Sequence, residues 1–426
     1  MNDVVHIPFS EHGISERKIC KKARIVLNAL VEAGYEAYLV GGAVRDLLLG
    51  KEPKDFDIAT NAHPEQIKKV LPSTRIIGRR FRLAHVHFGR DFLEVATFRA
   101  PHNKSDKGQV NQDGRILHDN VYGTIAEDAL RRDFTVNALF YDLKTGDVLD
   151  FVDGMRDVKQ RQLRLIGDPE IRYREDPVRM LRAIRFLAKL GFSLEAKTEA
   201  PIRELSNLLS TIVPARLFDE SLKLFHSGQA VVTLELLRKY LLFSCLFPLT
   251  EQSLKEDDSG LFFQLLLEAL NNTDRRIRLG KPVNPAFLFA VMLWHQVKKG
   301  EKMYRGMGNP ELQSMHLAAS DVLGHQVKST AVPRRFSNIT REIWIMQRRF
   351  QFKGCRCALN FIDNKRFRAA YDFMCLRASS GEALKEECRW WTLFQEASFE
   401  DQLAMCNAIT PTKRRRSSRR RRRRCK

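Results

Sequence analysis

The chain has 426 residues, of which 44% are hydrophobic, and carries a formal net charge of +21. This length exceeds one typical core and predicts two or three folded domains. No stretch reaches the roughly 18 apolar residues of a membrane span, and no basic start precedes an apolar run, so we expect a cytoplasmic protein without a membrane span.

The first part of the chain predicts an α/β domain in which short strands and helices alternate. Ser15 is placed to cap a helix whose apolar residues recur at three- and four-residue spacing until Gly34. The elements that follow are a strand at 38–40, a helix at 44–49, a strand at 56–59, a helix at 64–70, and a hairpin of 85–88 with 92–98. The polar segment 101–120 predicts a mobile loop.

Beyond about Asp157 the pattern becomes almost continuously helical. Arg179 to Leu190 predicts a helix that ends at Gly191. Further helices are predicted at 215–226, 261–270 and 286–294. The eight cysteines include no C-x-x-C pair, which is typical of reduced thiols and argues against a zinc ribbon or a disulfide framework.

The C-terminus is strongly basic. Lys413 to Lys426 contain nine arginines and two lysines but no acid. Because such a run repels itself and has no apolar surface to bury, we expect a disordered tail. The tail is suited to nucleic-acid phosphates; a solubility role is the alternative, and a membrane surface is less favoured because no apolar face accompanies the charges.

Residues 39–60 read LVGGAVRDLLLGKEPKDFDIAT and contain the densest candidate site. Gly41 and Gly42 follow a predicted strand and precede a predicted helix, so their backbone can approach a phosphate closely. Arg45 and Asp46 follow on that helix, where a simple surface ion pair is the alternative interpretation.

Asp55 and Asp57 are separated by one aromatic residue, Phe56. Alternate residues of a strand point to one face, so the two carboxylates are expected to lie together while Phe56 packs behind them. Adjacent carboxylates repel each other unless a cation lies between them. Hard oxygen ligands beside a phosphate substrate favour Mg²⁺, with Mn²⁺ as a substitute; a solvated edge strand is the alternative.

A third carboxylate has two candidates. Glu94 lies in an otherwise apolar strand, where an acid needs a partner. Asp133 follows Arg131 and Arg132, and its structural alternative is an N-cap for a helix at 136–140. Spacing alone does not choose between the two acids.

Asp176 and Arg179 lie within a segment that predicts the start of a helix. Residues three apart share a helical face, and this pair could bond to the edge of a nucleobase. An intrahelical ion pair is the alternative.

These motifs closely resemble bacterial poly(A) polymerases of the class II tRNA nucleotidyltransferase superfamily. Between about Tyr38 and Gly228 the segments follow in the family's order: LVGGAVRDLLLG, KDFDIATNA, GRRFRLAHVHF, EVATFR, EDALRRDFTVNALFYD and YREDPVRMLRAIRF. The resemblance implies a polymerase-β-like α/β nucleotidyltransferase head at 1–157, a base-reading all-α neck at 158–228, a helical RNA-binding body at 229–411 and a disordered basic tail at 412–426.

The resemblance also implies roles for single residues. Asp55 and Asp57 hold the catalytic metals, and Asp133 is the third catalytic aspartate, ranked above Glu94. Nucleotide binding is implied for residues around the triphosphate and at the base-reading positions: Gly41, Gly42, Arg45, Asp46, Arg132, Asp176 and Arg179.

The expected activity is template-independent addition of AMP from ATP to single-stranded RNA 3′ ends, with RNA-decay proteins as further partners. CCA addition to tRNA shares most of the motifs. Residues 78–86, 214–225 and the basic C-terminus resemble the polymerase branch instead. A nonenzymatic RNA-binding protein is a third reading, but clustered acids beside RNA would give a binder no benefit.

Overall fold

The structure is a computed structural model that describes residues 4–78, 82–100 and 121–409. It divides into two compact units, one of 1–212 with 236–242 and the other of 213–235 with 243–426. The first unit contains all strands that the described residues form, and the second is helical. This arrangement confirms the predicted α/β head and helical body, whereas the predicted loop at 101–120 and tail at 412–426 lie outside the described residues.

The first unit is built on an eight-stranded mixed sheet with the strand order β1-β8-β7-β2-β3-β6-β5-β4. Its strands are β1 (Val5–Ile7), β2 (Ala37–Val40), β3 (Asp57–Thr60), β4 (Thr74–Ile77), β5 (Leu83–Phe88), β6 (Asp91–Thr97), β7 (Leu139–Tyr141) and β8 (Val148–Asp150). Two shorter strands, β9 (Gln162–Leu163) and β10 (Ser193–Leu194), pair separately.

The pairing of three central strands brings the candidate site together. β2 runs antiparallel to β3 with Val40 opposite Asp57, so the end of β2 meets the start of β3. β6 runs parallel to β3 with Val95 opposite Ile58, which places Glu94 next to the start of β3. Val40, Ile58 and Val95 are buried in the core, whereas Asp57 and Glu94 are exposed.

The helices of the first unit flank this sheet and follow it. They are α1 (Phe9–His12), α2 (Lys21–Glu32), α3 (Gly42–Leu48), α4 (Pro64–Val70), α5 (Ile125–Arg131), α6 (Gly154–Gln160), α7 (Pro169–Glu175), α8 (Val178–Leu190), α9 (Ala196–Glu199) and α10 (Ile202–Leu205). The predicted helix at 64–70 is confirmed, with Pro64 in the first turn. The predicted end of α8 at Gly191 is also confirmed, since this glycine has φ 70°.

Two local predictions were wrong for identifiable reasons. Cys20, rather than Ser15, caps the first long helix: its sulfur accepts from the Ala23 amide at 3.4 Å, and Ser15 instead precedes a 3-10 turn. The expected helix at 136–140 is a 3-10 turn followed by β7. Pairing of β7 with β2 and β8 overrides the local helical pattern there.

The hairpin prediction is confirmed, although its strands begin earlier. β5 and β6 pair antiparallel, with Phe88 opposite Asp91 across a turn of Gly89 and Arg90. Gly89 has φ 64°, a left-handed conformation that a glycine adopts without steric cost. The pairing places His85 directly opposite Glu94.

The second unit consists of packed helices. They are α11 (Pro214–Phe225), α12 (Ala230–Lys239, which crosses into the first unit), α13 (Phe243–Leu246), α14 (Pro248–Lys255), α15 (Leu261–Arg278), α16 (Pro285–Met292), α17 (Trp294–Gly306), α18 (Glu311–Ser329), α19 (Arg334–Met346), α20 (Cys355–Ile362), α21 (Phe367–Ser379), α22 (Lys385–Glu396) and α23 (Phe399–Ile409). Trp344 and Trp391 are fully buried, and each indole donates to a backbone carbonyl at 2.9 Å.

The expectation that the thiols are all reduced was wrong. Cys375 on α21 and Cys388 on α22 form a disulfide with a Cα–Cα separation of 5.3 Å. Thirteen residues separate them in sequence, and only the packing of these two helices brings them together.

Among the helices of the described ranges, none combines the length and apolar character that a bilayer crossing requires.

Candidate active site

The Gly41–Gly42 turn joins β2 to α3 through a conformation that favours glycine. Gly41 has φ 75° and ψ −130°. A Cβ atom at this position would lie 3.5 Å from Nη1 of Arg132 and 3.7 Å from the Asn137 carbonyl oxygen. The turn therefore packs closely against the segment that contains Arg132, Asp133 and Asn137.

The two aspartates share the exposed side of the segment that enters β3. Phe56 between them is only 9% exposed, whereas Asp55 and Asp57 are both exposed. The strand begins at Asp57, one residue after its predicted start at Phe56, and Asp55 precedes it. The alternation of exposed and buried residues nevertheless extends back through Asp55.

The pKa of Asp57 is raised to about 6. Desolvation by the surrounding protein is the largest cause, followed by the charge of Glu94 and, more weakly, of Asp55, while Arg132 opposes the shift. Burial and the neighbouring carboxylates together therefore favour the protonated form of Asp57 when no cation is bound.

Glu94 on β6 lies opposite His85 on β5. Nε2 of His85 lies 3.4 Å from Oε1 of Glu94, and the imidazole stacks on Phe92 with ring centroids 4.2 Å apart. The charge of Glu94 contributes to the raised pKa of Asp57, so this candidate third carboxylate lies near the aspartate pair.

Asp133 makes a different set of contacts. Its Oδ2 accepts from Nε of Arg182 at 2.7 Å, and its Oδ1 accepts from the Phe134 amide at 2.8 Å and from the Asn137 side chain at 3.1 Å. Burial alone would raise the pKa of Asp133, but Arg182 and these hydrogen bonds together hold it below its usual value. The carboxylate therefore stays ionised in a buried network.

Asn137 extends this network to α3. Its Oδ1 accepts from Nη1 of Arg45 at 2.5 Å, while Nε and Nη2 of Arg45 donate to Oδ1 of Asp46 at 2.9 and 2.7 Å. Arg45 is only 2% exposed and Asp46 8%. The alternative of a surface ion pair is therefore wrong for these two residues, which form a buried support behind the glycine turn.

Arg132 is anchored but remains close to Asp57. Its Nε and Nη2 donate to Oδ2 of Asp128 at 3.1 and 2.8 Å. Its guanidinium also lies over the Phe140 ring at 5.1 Å. A partly exposed cation beside the carboxylates and the glycine turn is suited to a phosphate group.

Asp176 and Arg179 were predicted to lie on one helix, and this prediction was wrong. Asp176 ends α7, and α8 begins after Pro177, because a proline disfavours the helical conformation of the residue before it. Arg179 donates to the Arg172 carbonyl oxygen at 2.6 Å and to Glu175 at 3.1 Å. The guanidinium is therefore oriented at the junction of the two helices.

Asn137, Asp128 and Arg182 were not predicted from the sequence as parts of the site. Asn137 lies four residues after Asp133, which was the one available signal. Arg182 lies 49 residues from Asp133 in sequence, so no spacing rule connects the two.

The donor set fits a divalent cation. Asp55, Asp57 and Glu94 supply carboxylate oxygens, the ligand type that Mg²⁺ prefers, and a cation would relieve the repulsion that adds to burial in raising the pKa of Asp57. Among the described residues no group of three or more such side chains is already gathered around one ion position. The fit therefore rests on the Asp55–Asp57 pair and the nearby charge of Glu94.

Three family models match the chain: the poly A polymerase head domain at 37–164, the probable RNA- and SrmB-binding site of polymerase A at 191–254, and the polymerase A arginine-rich C-terminus at 307–426. Poly(A) polymerase I of Escherichia coli O6:H1 is 46% identical over 95% of this chain and 89% of its own length. A CCA-adding enzyme of Lactobacillus helveticus is 41% identical over 49% of this chain and 51% of its own.

A Thermotoga maritima CCA-adding enzyme complexed with tRNA has a similar fold, with a TM-score of 0.61, 20% identity, and coverage of 93% of this chain and 87% of that one. The family models and the poly(A) polymerase relative define a nucleotidyltransferase. The chain belongs to the poly(A) polymerase family, whose members are polynucleotide adenylyltransferases. The prediction of an enzyme is therefore confirmed, and the nonenzymatic alternative is set aside.

Proposed function

We propose that the chain transfers AMP from ATP to the 3′-hydroxyl of RNA without a template and releases pyrophosphate. The observation that carries this proposal is the meeting of Asp57, Asp55 and Glu94 beside the Gly41–Gly42 turn, in a chain that is 46% identical to a poly(A) polymerase over nearly its full length. Carboxylates facing a phosphate-accommodating turn suit phosphoryl transfer.

Asp55 and Asp57 would hold Mg²⁺, or Mn²⁺ in its place, with Glu94 as the nearest further carboxylate. When bound, such ions favour ionisation of the attacking hydroxyl and neutralise charge on the transferred phosphate. The protein itself has the task of positioning. We assign Asp133 a supporting part in this task, because its carboxylate is already engaged by Arg182 and Asn137.

The triphosphate is placed against Gly41, Gly42 and Arg132. The glycine turn brings backbone close to the ligand, and Arg132 supplies a positive charge near the carboxylates. Arg45 and Asp46 would act from behind, since both side chains are buried and bonded to each other.

Asp176 and Arg179 are proposed to read the adenine edge. They lie at the junction of α7 and α8, where Arg179 is held by Glu175 and the Arg172 carbonyl. A guanidinium with a fixed orientation presents its remaining donors in one direction, which suits recognition of a base edge without a template strand.

The helical body and the basic tail are proposed to bind single-stranded RNA through its phosphates. Deletion of Lys413 to Lys426 should weaken RNA binding and reduce its salt dependence without stopping turnover. We place the activity in the cytoplasm, in mRNA polyadenylation and RNA turnover, where RNA-decay proteins would be partners.

CCA addition is the second candidate, because a CCA-adding enzyme is 41% identical over about half of this chain. It is less favoured because the poly(A) polymerase relative matches almost the whole chain. The two activities differ in product. The purified protein should be incubated with a generic RNA or with tRNA lacking its terminal CCA, together with Mg²⁺ and all four nucleotides.

Long adenosine tracts on the generic RNA are the expected result. Addition of two cytidines and one adenosine, on tRNA alone, would overturn the proposal in favour of CCA addition. The absence of incorporation on either RNA would overturn both.

A further inference from the structure

A basic groove lies within the second unit and has a volume of about 720 Å³. The C-terminal half of α15, the 282–288 segment and residues along the whole of α21 line it. Its lining contains five cationic side chains against one carboxylate, Asp372: Arg275, Arg276, Lys365, Arg366 and Arg368. An excess of positive charge in a concave surface concentrates field and attracts polyanions.

Arg275 and Arg276 keep their positive charge available to a ligand. Arg275 donates to the side-chain oxygen of Asn272 at 2.5 Å, and Arg276 donates to the Pro282 carbonyl oxygen at 2.9 and 3.1 Å. Both acceptors are neutral, so they orient the guanidinium groups without cancelling their charge. Both arginines are exposed.

The nearby acids are already engaged. Asp372 lies 3.0 Å from Nε of Arg368; burial raises the pKa of this carboxyl, while Arg368 and Arg276 oppose the shift. Arg366 donates to Glu342 at 2.8 Å. Arg275, Arg276 and the exposed Lys365 therefore remain in excess over the carboxylates at the groove.

Aromatic side chains lie among these cations. Phe287 is half-buried in the groove lining, and its ring is fixed edge-on to Phe373 with centroids 6.1 Å apart. Cations that follow a backbone, beside aromatic faces on which bases stack, are typical of single-stranded nucleic-acid binding. An acidic peptide would match the charge but would have no use for the aromatic surface.

We propose that this groove binds the backbone of single-stranded RNA, at a segment other than the reacting 3′ nucleotide. The proposal rests on the proposed function, which supplies RNA as the substrate. It assigns the helical body a defined contact with RNA through Arg275, Arg276 and Lys365.

The test uses the full chain and a 5′-labelled single-stranded RNA whose fluorescence anisotropy is followed across a series of KCl concentrations. Arg275→Gln/Lys365→Gln removes two groove charges whose side chains make few structural contacts. Lys68→Gln/Lys69→Gln on α4 removes two exposed charges from a helix of the first unit and is the matched control. Adenylate incorporation into the same RNA, with RNA at saturating concentration, is measured for each protein.

The groove variant should show a roughly tenfold higher Kd, and its slope of log K against log[KCl] should fall by about 1.4, as expected for two lost single-strand phosphate contacts. The control should keep the wild-type slope, and all three proteins should incorporate adenylate at saturating RNA. A groove variant that incorporates adenylate with an unchanged slope overturns this inference but leaves the proposed function standing.

Failure of the wild-type protein to incorporate adenylate instead refutes the proposed function. Polyglutamate serves as the acidic-peptide probe. If polyglutamate binds the wild type, and the groove substitutions lower its affinity without changing the affinity for RNA, the groove is a protein-binding surface. That result overturns the inference. Arg276→Gln is a second variant at the groove. Circular dichroism checks that it folds as the wild type does, and the same KCl titration measures its RNA binding.

Discussion

The guanidinium of Arg182 on α8 forms an ion pair with the Asp133 carboxylate, with Nε at 2.7 Å and Nη2 at 2.6 Å from the same oxygen. This ion pair fixes the segment after Arg132 to a helix that follows much later in the chain. Because Asp133 is largely buried, its charge depends on Arg182 and on hydrogen bonds from Phe134 and Asn137.

Arg182→Gln should lower the free energy of unfolding by roughly 2–3 kcal/mol near neutral pH, because the buried carboxylate loses its cation. A carboxyl group with a lowered folded-state pKa stabilises the fold above its unfolded pKa, and this stability is lost as the pH falls through the folded pKa. The difference between variant and wild type should therefore shrink in acid. Urea unfolding near neutral pH and in acid measures the difference in the free energy of unfolding between variant and wild type. An equal difference under both conditions would contradict the ion-pair account.

Asn137→Ala should destabilise the first unit by about 2 kcal/mol, since it leaves Nη1 of Arg45 and Oδ1 of Asp133 without their shared partner. The exposed Asn28 on α2 offers a control, because Asn28→Ala should change stability by less than about 0.5 kcal/mol. Thermal and urea unfolding of both variants decide the matter. Similar stability of the two would mean that the bridge contributes little.

Glu94 and Asp133 should respond differently to neutralisation. Glu94→Gln should lower adenylate incorporation roughly 10- to 100-fold with little loss of stability, because its exposed side chain lies beside Asp57. Asp133→Asn should lower the thermal midpoint, since Arg182 loses its partner. Parallel kinetics and thermal unfolding separate the two effects. Full activity of Glu94→Gln would argue against a role for Glu94 at the metal.

Asp57→Asn should stabilise the metal-free protein near neutral pH. The pKa of Asp57 is raised from 3.8 to about 6, so the folded chain retains a proton that the unfolded chain releases, and stability falls as the pH rises through this window. Removing the charge avoids this cost, which solvent exposure limits to about 1 kcal/mol or less.

Thermal unfolding in a chelator, compared near pH 7.5 and near pH 3.5, tests this sign. The variant should gain stability only at the higher pH. Addition of Mg²⁺ should then stabilise the wild type more than the variant, because ligand binding to the folded state raises its stability. A variant that is less stable than the wild type without metal would contradict the view that burial and the neighbouring carboxylates disfavour the charged form of Asp57.

Local patterns predicted the elements that local chemistry controls. The helix at 64–70, the β5–β6 hairpin and the end of α8 at Gly191 all follow from turn residues and periodicity. The prediction of a helix at 136–140 was wrong because its apolar residues belong partly to β7, which pairs with β2 about a hundred residues away in sequence. The break at Asp176 was missed although Pro177 signals it.

For the site, the glycine turn and the Asp55–Asp57 pair could be located from the sequence because their residues are close together in the chain. The partners of Asp133 could not, since Arg182 approaches only after α8 has packed. The disulfide between Cys375 and Cys388 likewise depends on the packing of α21 against α22. Residue spacing therefore could not predict contacts between segments that are far apart in the sequence.

The most direct test of the central claim is adenylate incorporation into RNA by Asp55→Asn and Asp57→Asn, with the nearby exposed carboxylate variant Glu52→Gln as the matched control. RNA binding is measured in parallel. We predict that both aspartate variants lose at least roughly 100-fold of the incorporation rate while they bind RNA as the wild type does, and that Glu52→Gln remains active. Substantial incorporation by Asp57→Asn would contradict the assignment of this carboxylate pair as the catalytic centre.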